Sequence, residues 1–479
     1  MGYAGRRVCN QQPAMRIMLG VLVVGCGSSH PPGQVITMTV IDPQVITMTV
    51  IDPPIAAKPI VTPIVEAPYG SEVHSVRFLQ GTVAHAEPRS DAERLGVVRK
   101  DTLAGVASAV PAGSGCSKRW IQIVPRGWVC ESVLAPSRDQ PTAAAAPVLT
   151  DDDKDPGPVV HGVYGFVRGD NVQAFANASD ADVGERGRKL VGPTSVRASG
   201  SVNVNGKRYW QTSQGDLIDE SAIVRIAPSR FKGVVIDKTA QLPAWVRSHR
   251  NSRDPIKTRD AANGKIIGEL PPRTVVTIVE ESADGRFVRI SDRAWIERAD
   301  LRAAAITAPP PGTAPNEKWF DIDLDEQVLV AYEGTHPVYA TLVSTGKWDH
   351  PTPPSISRVS SKLQTAHMVN EKAGERYSVA DVPWTMYYDN NFALHTSYWH
   401  DGFGGVRSHG CVNLAPRDAR VLYQWSSPDV PPGWVAVYGG ESHPGSLVRA
   451  RSRKVPEPAW RGYARTLHER SVMTSVASN

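Results

Sequence analysis

Residues 384–425 read WTMYYDNNFALHTSYWHDGFGGVRSHGCVNLAPRDARVLYQW, a stretch holding one thiol, three histidines and a glycine-rich segment between them. A thiol is a useful nucleophile only where a base or a positive field raises its thiolate fraction. Cys411 has two candidate bases, His395 sixteen positions before it and His409 two before it. Gly402, Gly404 and Gly405 can fold the intervening segment back so that His395 and Cys411 converge. Gly410 permits a close backbone approach, and consecutive N–H groups at Gly410 and Cys411 can face a developing oxyanion. Loss of one such donor costs about 3–4 kcal/mol of barrier. The competing reading is a metal site of His395, His400, His409 and Cys411. Structural zinc sites favour ligands paired at short spacing, and only His409 and Cys411 stand that close, so no metal is expected and His400 is read as a rim histidine. Pro416 opens a helix behind the cysteine. Its N-cap is Ala415, where Ser, Thr or Asp would be better by about 0.5–2 kcal/mol, with Asp418 in the first turn as partial compensation.

Upstream of this stretch, from Lys318, the pattern is that of a compact β meander. Phe320, Ile322 and Leu324 alternate with Trp319, Asp321 and Asp323; Asp325-Glu326 turns the chain, Val328 to Tyr332 returns, and Val338 to Val343 follows Glu333-Gly334. Such strands form one side of a sheet sandwich. Downstream of Gly440 come Arg449, Arg451, Arg453, Lys454, Arg461, Arg465 and Arg470, read as a solvated basic tail.

At 479 residues the chain is too long for one core. Its 39 prolines and 40 glycines favour loops and linkers over long helices. A formal charge of +5 without a basic stripe and interleaved aromatics argues against a nucleic-acid partner. Arg6, Arg7 and Arg16 precede an apolar run from Ile17 to Gly25, too short for a bilayer span of roughly twenty residues but suited to an export signal. Val23-Val24-Gly25-Cys26 resembles a bacterial lipobox, which implies lipidation of Cys26 and a membrane anchor in the cell envelope. Export implies oxidising conditions. Of Cys116, Cys130 and Cys411, the first two flank the segments around Trp120 and Trp128 and are expected to pair as a hairpin staple. Cys411 is then the odd thiol.

The decamer QVITMTVIDP occurs at 34–43 and again at 44–53, followed by proline-rich sequence; each copy could pair as a strand, and an extended spacer is the favoured reading. Three later stretches share short alternating strands broken by Gly, Asp and Pro. The first contains Arg119-Trp120-Ile121-Gln122-Ile123 and Gly127-Trp128-Val129. The second contains Lys207-Arg208-Tyr209-Trp210 and Gly215-Asp216-Leu217-Ile218. The third contains Arg286-Phe287-Val288-Arg289-Ile290 and Ala294-Trp295-Ile296. Their order of Gly turn, aromatic strand and closing Trp strand resembles the bacterial SH3-like domain, weakest in the middle copy, which implies wall-binding modules or spacer barrels.

Together, His395, the Gly-rich loop and Ser408-His409-Gly410-Cys411-Val412-Asn413 resemble the signature of the L,D-transpeptidase (YkuD-like) family. The likeness extends over 317–438, through Ser344-Thr345-Gly346, Thr352-Pro353, Ala393-Leu394-His395, Tyr398-Trp399-His400 and Pro416 to Trp425. It departs at Pro354-Ser355, where the family usually has a glycine, and at Pro432-Gly433-Trp434-Val435. The resemblance implies Cys411 as nucleophile, His395 as proton acceptor and donor, Thr396 as its orienting group, and His409 and Gly410 beside an oxyanion hole. Ser408 and Asn413 would stand at the substrate edge, chiefly as loop supports. Trp399, Met386 and Tyr388 would line the cleft, although Trp384 to Tyr388 also read as core. The implied reaction is acyl transfer on peptidoglycan stem peptides without a cofactor, with a carbapenem as inhibitor. Water or a protein lysine as acceptor, or a silent wall-binding scaffold, are the alternatives.

The expected fold class is therefore mainly β and multidomain, a β-sandwich-like catalytic domain preceded by two or three small SH3-like barrels. Boundaries fall at a signal peptide and lipobox 1–26, a tether 27–70, small β domains 71–136, 160–228 and 253–304, and linkers 137–159, 229–252 and 305–316. The catalytic domain is 317–439 and the basic tail 440–479.

Overall fold

The computed structural model describes residues 35–42, 45–51, 68–143, 159–237, 241–247, 254–372 and 374–477. The segment expected to act as an export signal, Cys26 and the acidic run 151–153 lie outside the described residues. The chain divides into two compact units, Met1–Ile64 and Val65–Asn479. In the first, the decamer copies do not form the expected extended spacer. Val35–Asp42 and Val45–Ile51 pair antiparallel, Val35 opposite Ile51 and Met38 opposite Met48. The β-branched composition of the repeat explains the correction, because two adjacent copies of one strand-forming sequence satisfy each other's backbone groups.

The second unit opens with three small β groups. The first runs from Ser75–Phe78 to Leu134–Ser137, which pair antiparallel with each other and close it. Its Cys116–Cys130 disulfide, with Cα atoms 5.5 Å apart, ties the chain before Trp120–Val124 to the end of Trp128–Cys130. The middle group is built from Val163–Val167, Thr194–Val204, Lys207–Thr212, Leu217–Asp219 and Ile223–Arg225. The third holds Ala244–Val246, Ile256–Arg259, Ile266–Leu270, Phe287–Ser291, Ala294–Glu297 and Leu301–Ala303. Each group ends in the same order: a strand, one 3-10 turn and a short strand.

The C-terminal region carries two sheets around one core. Its elements are β1 (Lys318–Asp323), β2 (Val328–Glu333), β3 (His336–Leu342), β4 (Ser355–Arg358), β5 (Ser361–Asn370), β6 (Tyr377–Asp389), β7 (Phe392–Thr396), β8 (Val412–Leu414), α1 (Pro416–Trp425), β9 (Trp434–Tyr438), β10 (Leu447–Arg451) and α2 (Gly462–Ala477). One sheet runs β3-β2-β1-β10-β4 and the other β9-β5-β6-β7-β8. Phe320 and Ile322 from β1, Met386 and Tyr388 from β6, Leu394 from β7, Val412 and Leu414 from β8, and Leu422 and Trp425 from α1 share one buried cluster. α1 starts at Pro416 with Ala415 as an N-cap that makes no side-chain hydrogen bond. Its C-terminal end is met by two lysines: Lys318 Nζ donates to Trp425 O at 2.9 Å and the buried Lys362 Nζ to the O of Ser426, the C-cap, at 2.7 Å.

Two boundary expectations are corrected. The basic tail is part of the fold: β10 lies parallel to β1 and antiparallel to β4, and α2 follows it. Its arginines have partners, since Arg449 Nε donates to the buried Asp321 at 2.6 Å and Arg451 pairs with Asp321 and Asp323. The alternation of Leu447, Val448 and Ala450 with those arginines is a strand pattern, not a solvated run. The linker 229–252 is likewise structured in part. Val234–Val235 adds to the edge of β3, and Ala244–Val246 joins the third β group.

Candidate active site

β7 and β8 run parallel with Leu394 opposite Val412, His395 opposite Asn413 and Thr396 opposite Leu414. Leu394, Val412 and Leu414 face the core. Side chains alternate along a strand, so His395 and Asn413 face the other way. One step back in the same register, Cys411 stands across from Ala393, whose backbone amide favours its thiolate. His395, Asn413 and Cys411 therefore share one face.

The His395 imidazole is buried, and its Nδ1 lies 2.9 Å from the Thr396 carbonyl. A carbonyl can only accept, so Nδ1 carries the proton and Nε2 holds the lone pair, the tautomer a base requires. Thr396 thus orients the ring through its backbone, while its buried hydroxyl has no hydrogen-bond partner among the described residues. Burial pushes the His395 pKa down to about 4. It pushes the Cys411 thiol up to about 11, against the opposing pull of the Ala393 amide. The resting pair is neutral imidazole and neutral thiol. Among the described residues no hydrogen bond joins them: the thiol faces Asn391 O at 3.7 Å.

The loop before Cys411 is braced from within. Ser408 Oγ accepts from the Gly410 amide at 3.1 Å and donates to Cys411 O at 2.5 Å, while Thr352 Oγ1 donates to Gly410 O at 2.7 Å. The expectation of a Gly410 oxyanion donor is corrected, because that N–H is engaged by Ser408. The Cys411 amide is left as the candidate donor. Gly410 has φ +113°, and an added Cβ would meet Phe392 Cε1 at 2.3 Å, so the position needs glycine. His409 is exposed, its ring 4.7 Å from that of His350 and 5.5 Å from that of Tyr377.

The cleft assignment changes. Met386 and Tyr388 are core residues rather than cleft wall, with Met386 fully buried against Ser426. Tyr387, on the opposite face of β6, is half-buried, and its phenol pKa is raised by burial and then by the Cys411 charge; Tyr377 behaves likewise. Sequence reasoning missed both. The two-residue period of a strand could have found Tyr387 once Met386 and Tyr388 were given to the core. Trp399 packs its ring 5.8 Å from that of His395. His400 is no rim residue. Its Nδ1 accepts from the Gly402 amide at 3.2 Å, so Nε2 carries the proton that faces the Asn413 side-chain amide at 2.9 Å. The Asn413 oxygen belongs on that side, which also gives a partner to an otherwise unpaired buried atom. Burial lowers the His400 pKa to about 3, keeping the ring neutral. Asn413 is therefore a strut. Among the described residues no cluster of three or more His, Cys, Asp or Glu gathers to hold a metal ion.

A neutral, tautomer-fixed imidazole and a thiol on one face of two paired strands, the thiol behind a loop closed by serine, are groups that acyl transfer can use. Residues 317–438 match the family described as the L,D-transpeptidase catalytic domain (YkuD), and this region is an L,D-transpeptidase catalytic domain. The chain is similar to the L,D-transpeptidase of Stackebrandtia nassauensis, 25% identical over 29% of this chain and 57% of that one, with TM-score 0.21. It thus spans little more than half of that relative. It is also similar to the catalytic domain of an E. faecium L,D-transpeptidase, 23% identical over 28% of this chain and 98% of that one, TM-score 0.23. A third likeness is to the LD transpeptidase LdtMt1 in complex with imipenem, 14% identical over 34% of this chain and 76% of that one, TM-score 0.24. The comparison with curated proteins gave no match.

Proposed function

We propose that the chain is an exported, lipid-anchored L,D-transpeptidase that cross-links peptidoglycan through a thioester on Cys411. The observation that supports this most is that the segment matched to the catalytic family carries His395 and Cys411 on one face of β7 and β8. His395 Nε2 takes the thiol proton as sulfur attacks the carbonyl of the third residue in a donor tetrapeptide stem. The terminal D-alanine leaves with the proton returned by the imidazolium, and the Cys411 amide receives the charge on the carbonyl oxygen. An amine of a neighbouring stem then displaces the thiolate, giving a 3→3 cross-link. Water in its place gives a carboxypeptidase, and a protein lysine gives wall anchoring. Tyr377, Tyr387 and Trp399 border the stem. The small β groups at 71–136, 160–228 and 253–304 are read as SH3-like, and Cys26 as the lipidated residue.

Incubation with disaccharide-tetrapeptides, followed by mass spectrometry, tests the reading. Dimers with loss of D-alanine are expected, as is a carbapenem adduct on Cys411, and Cys411→Ala abolishes both. Intact substrate and an unmodified Cys411 in the wild type would leave a wall-binding scaffold in its place.

A further inference from the structure

We propose that Arg273 and Arg302, with Ser229, clamp the 400–405 loop from outside the catalytic domain and act as positioning residues for Cys411. The loop leaves His395 and returns to the nucleophile, and its inner side is held by the end of β3. Ser344 Oγ donates to Gly402 O at 3.0 Å and the Gly404 amide to Val343 O at 2.9 Å. Those bonds leave the outward carbonyls of Asp401 and Gly404, and upstream residues take them. Arg302 Nε donates to Gly404 O at 3.0 Å. Arg273 donates to Asp401 O and, through Nη1, to Asp401 Oδ1 at 2.8 Å, where Ser229 Oγ also donates.

Apolar packing follows the same line. Phe403 of the loop stacks on Phe231 at 6.2 Å, Arg273 lies over Phe231 at 5.4 Å, and Phe403 shares a buried cluster with Trp245. Arg273 itself has φ +68°, a region non-glycine residues seldom occupy, and its amide is fixed on Val246 O at 2.8 Å. An arginine held in that backbone state, with its guanidinium on a loop of another domain, is a device rather than a chance contact.

The clamp reaches the sulfur in two steps. Asp401 is next to His400, and His400 bonds Asn413 at 2.9 Å. Asn413 lies two residues beyond Cys411 on the same face. Release of Asp401 and Gly404 frees His400, and Asn413 loses its strut. The third β group is therefore assigned a role in setting the nucleophile, separate from any hold on the wall. The kinetic part of this inference rests on the transpeptidase reading; the structural part does not.

The test uses the full chain with Arg302→Ala, Arg273→Ala and Arg302→Lys. D-alanine release gives kcat and KM, and deuterium exchange reports backbone protection. A misplacement of about 1 Å costs up to roughly a hundredfold, so each alanine variant should lose roughly ten- to a hundredfold in kcat with KM within about twofold. Exchange should quicken over 400–410, and Arg302→Lys, which keeps a donor, should recover most of the rate. The clamp is overturned if both alanine variants keep wild-type kcat. It is equally overturned if exchange rises across 229–303 as well and lysine restores nothing, the behaviour of plain interdomain adhesive. Should the wild type release no D-alanine, the transpeptidase reading fails and exchange alone decides: unchanged protection at 400–410 in Arg302→Ala overturns the clamp.

Discussion

Burial pushes Cys411 and His395 the same way, each toward its neutral form, with pKa values of about 11 and about 4. Between those limits the thiol keeps its proton and the imidazole its lone pair, so in the proposed reaction the proton would pass within the pair during attack with none exchanged with solvent beforehand. Acylation should therefore be nearly flat from about pH 5 to about pH 10, falling only as His395 protonates in acid. The rate of carbapenem adduct formation on Cys411, followed by mass spectrometry, measures this half-reaction free of any acceptor amine. A steep rise centred near pH 6.5 or 8.5 would mean an ordinary imidazole or thiol sets the rate. Gly410→Ala makes a second expectation. Its φ of +113° and the approach of Phe392 at 2.3 Å to the new Cβ should cost on the order of 1–3 kcal/mol, read as a lower melting temperature with loss of adduct formation. That His395 and Cys411 fall on one face of β7 and β8 was legible in the sequence, because the glycine-rich return between them lets the second strand lie beside the first. The wall of the cleft was not, because Met386, Tyr387 and Tyr388 differ in role only by which face of β6 each occupies.

α1 shows the same limit at the level of an element. Its start at Pro416 and its weak Ala415 cap were readable, but Asp418 was read as a first-turn charge and is instead a buried hub. Its carboxylate accepts from the Gly233 amide at 2.8 Å, from Tyr339 Oη at 2.7 Å and from Thr341. Asp418→Ala leaves three buried donors without an acceptor, at about 1–3 kcal/mol for each group left unpaired. Burial also raises the Asp418 pKa to about 6. A carboxyl whose folded pKa is raised favours the fold while protonated, and that contribution is lost as pH climbs through about 6. The stability gap between wild type and Asp418→Ala should accordingly narrow by the order of 3 kcal/mol between about pH 4 and pH 7, measured by denaturant unfolding. A gap that widens with pH would mean the ionised form is the favoured one. β10 was hidden for a related reason. Arg449 and Arg451 look solvated in sequence, and only the buried Asp321 makes them strand residues.

In the second unit, upstream strands take up two sheet edges of the catalytic region, those of β9 and β3. β9 pairs with Arg94–Val98 of the first small group, β6 meets Thr194–Ser195 of the middle one, and β3 receives Val234–Val235. Glu326 bonds Arg298 at 2.8 Å and the Ala303 amide at 3.1 Å. None of this was legible, since edge pairing uses backbone groups that every residue carries, and sequence periodicity finds strands without their neighbours. It does make a prediction about dissection. A chain of residues 305–479 would expose the β3 and β9 edges, lose the Gly233 donor to Asp418 and strip Trp245 from the cluster around Phe403. Unpaired edges invite association, and a loss of a few kcal/mol in a domain of this size lowers the melting temperature by about 5–10 °C. Residues 229–479 restore the β3 edge and the loop contacts but not the partner of β9, so they should melt between the short chain and the full one. Calorimetry with sedimentation on the three lengths decides it: a monomeric 305–479 melting with the full chain would mean the upstream groups are passengers, whatever their hydrogen bonds.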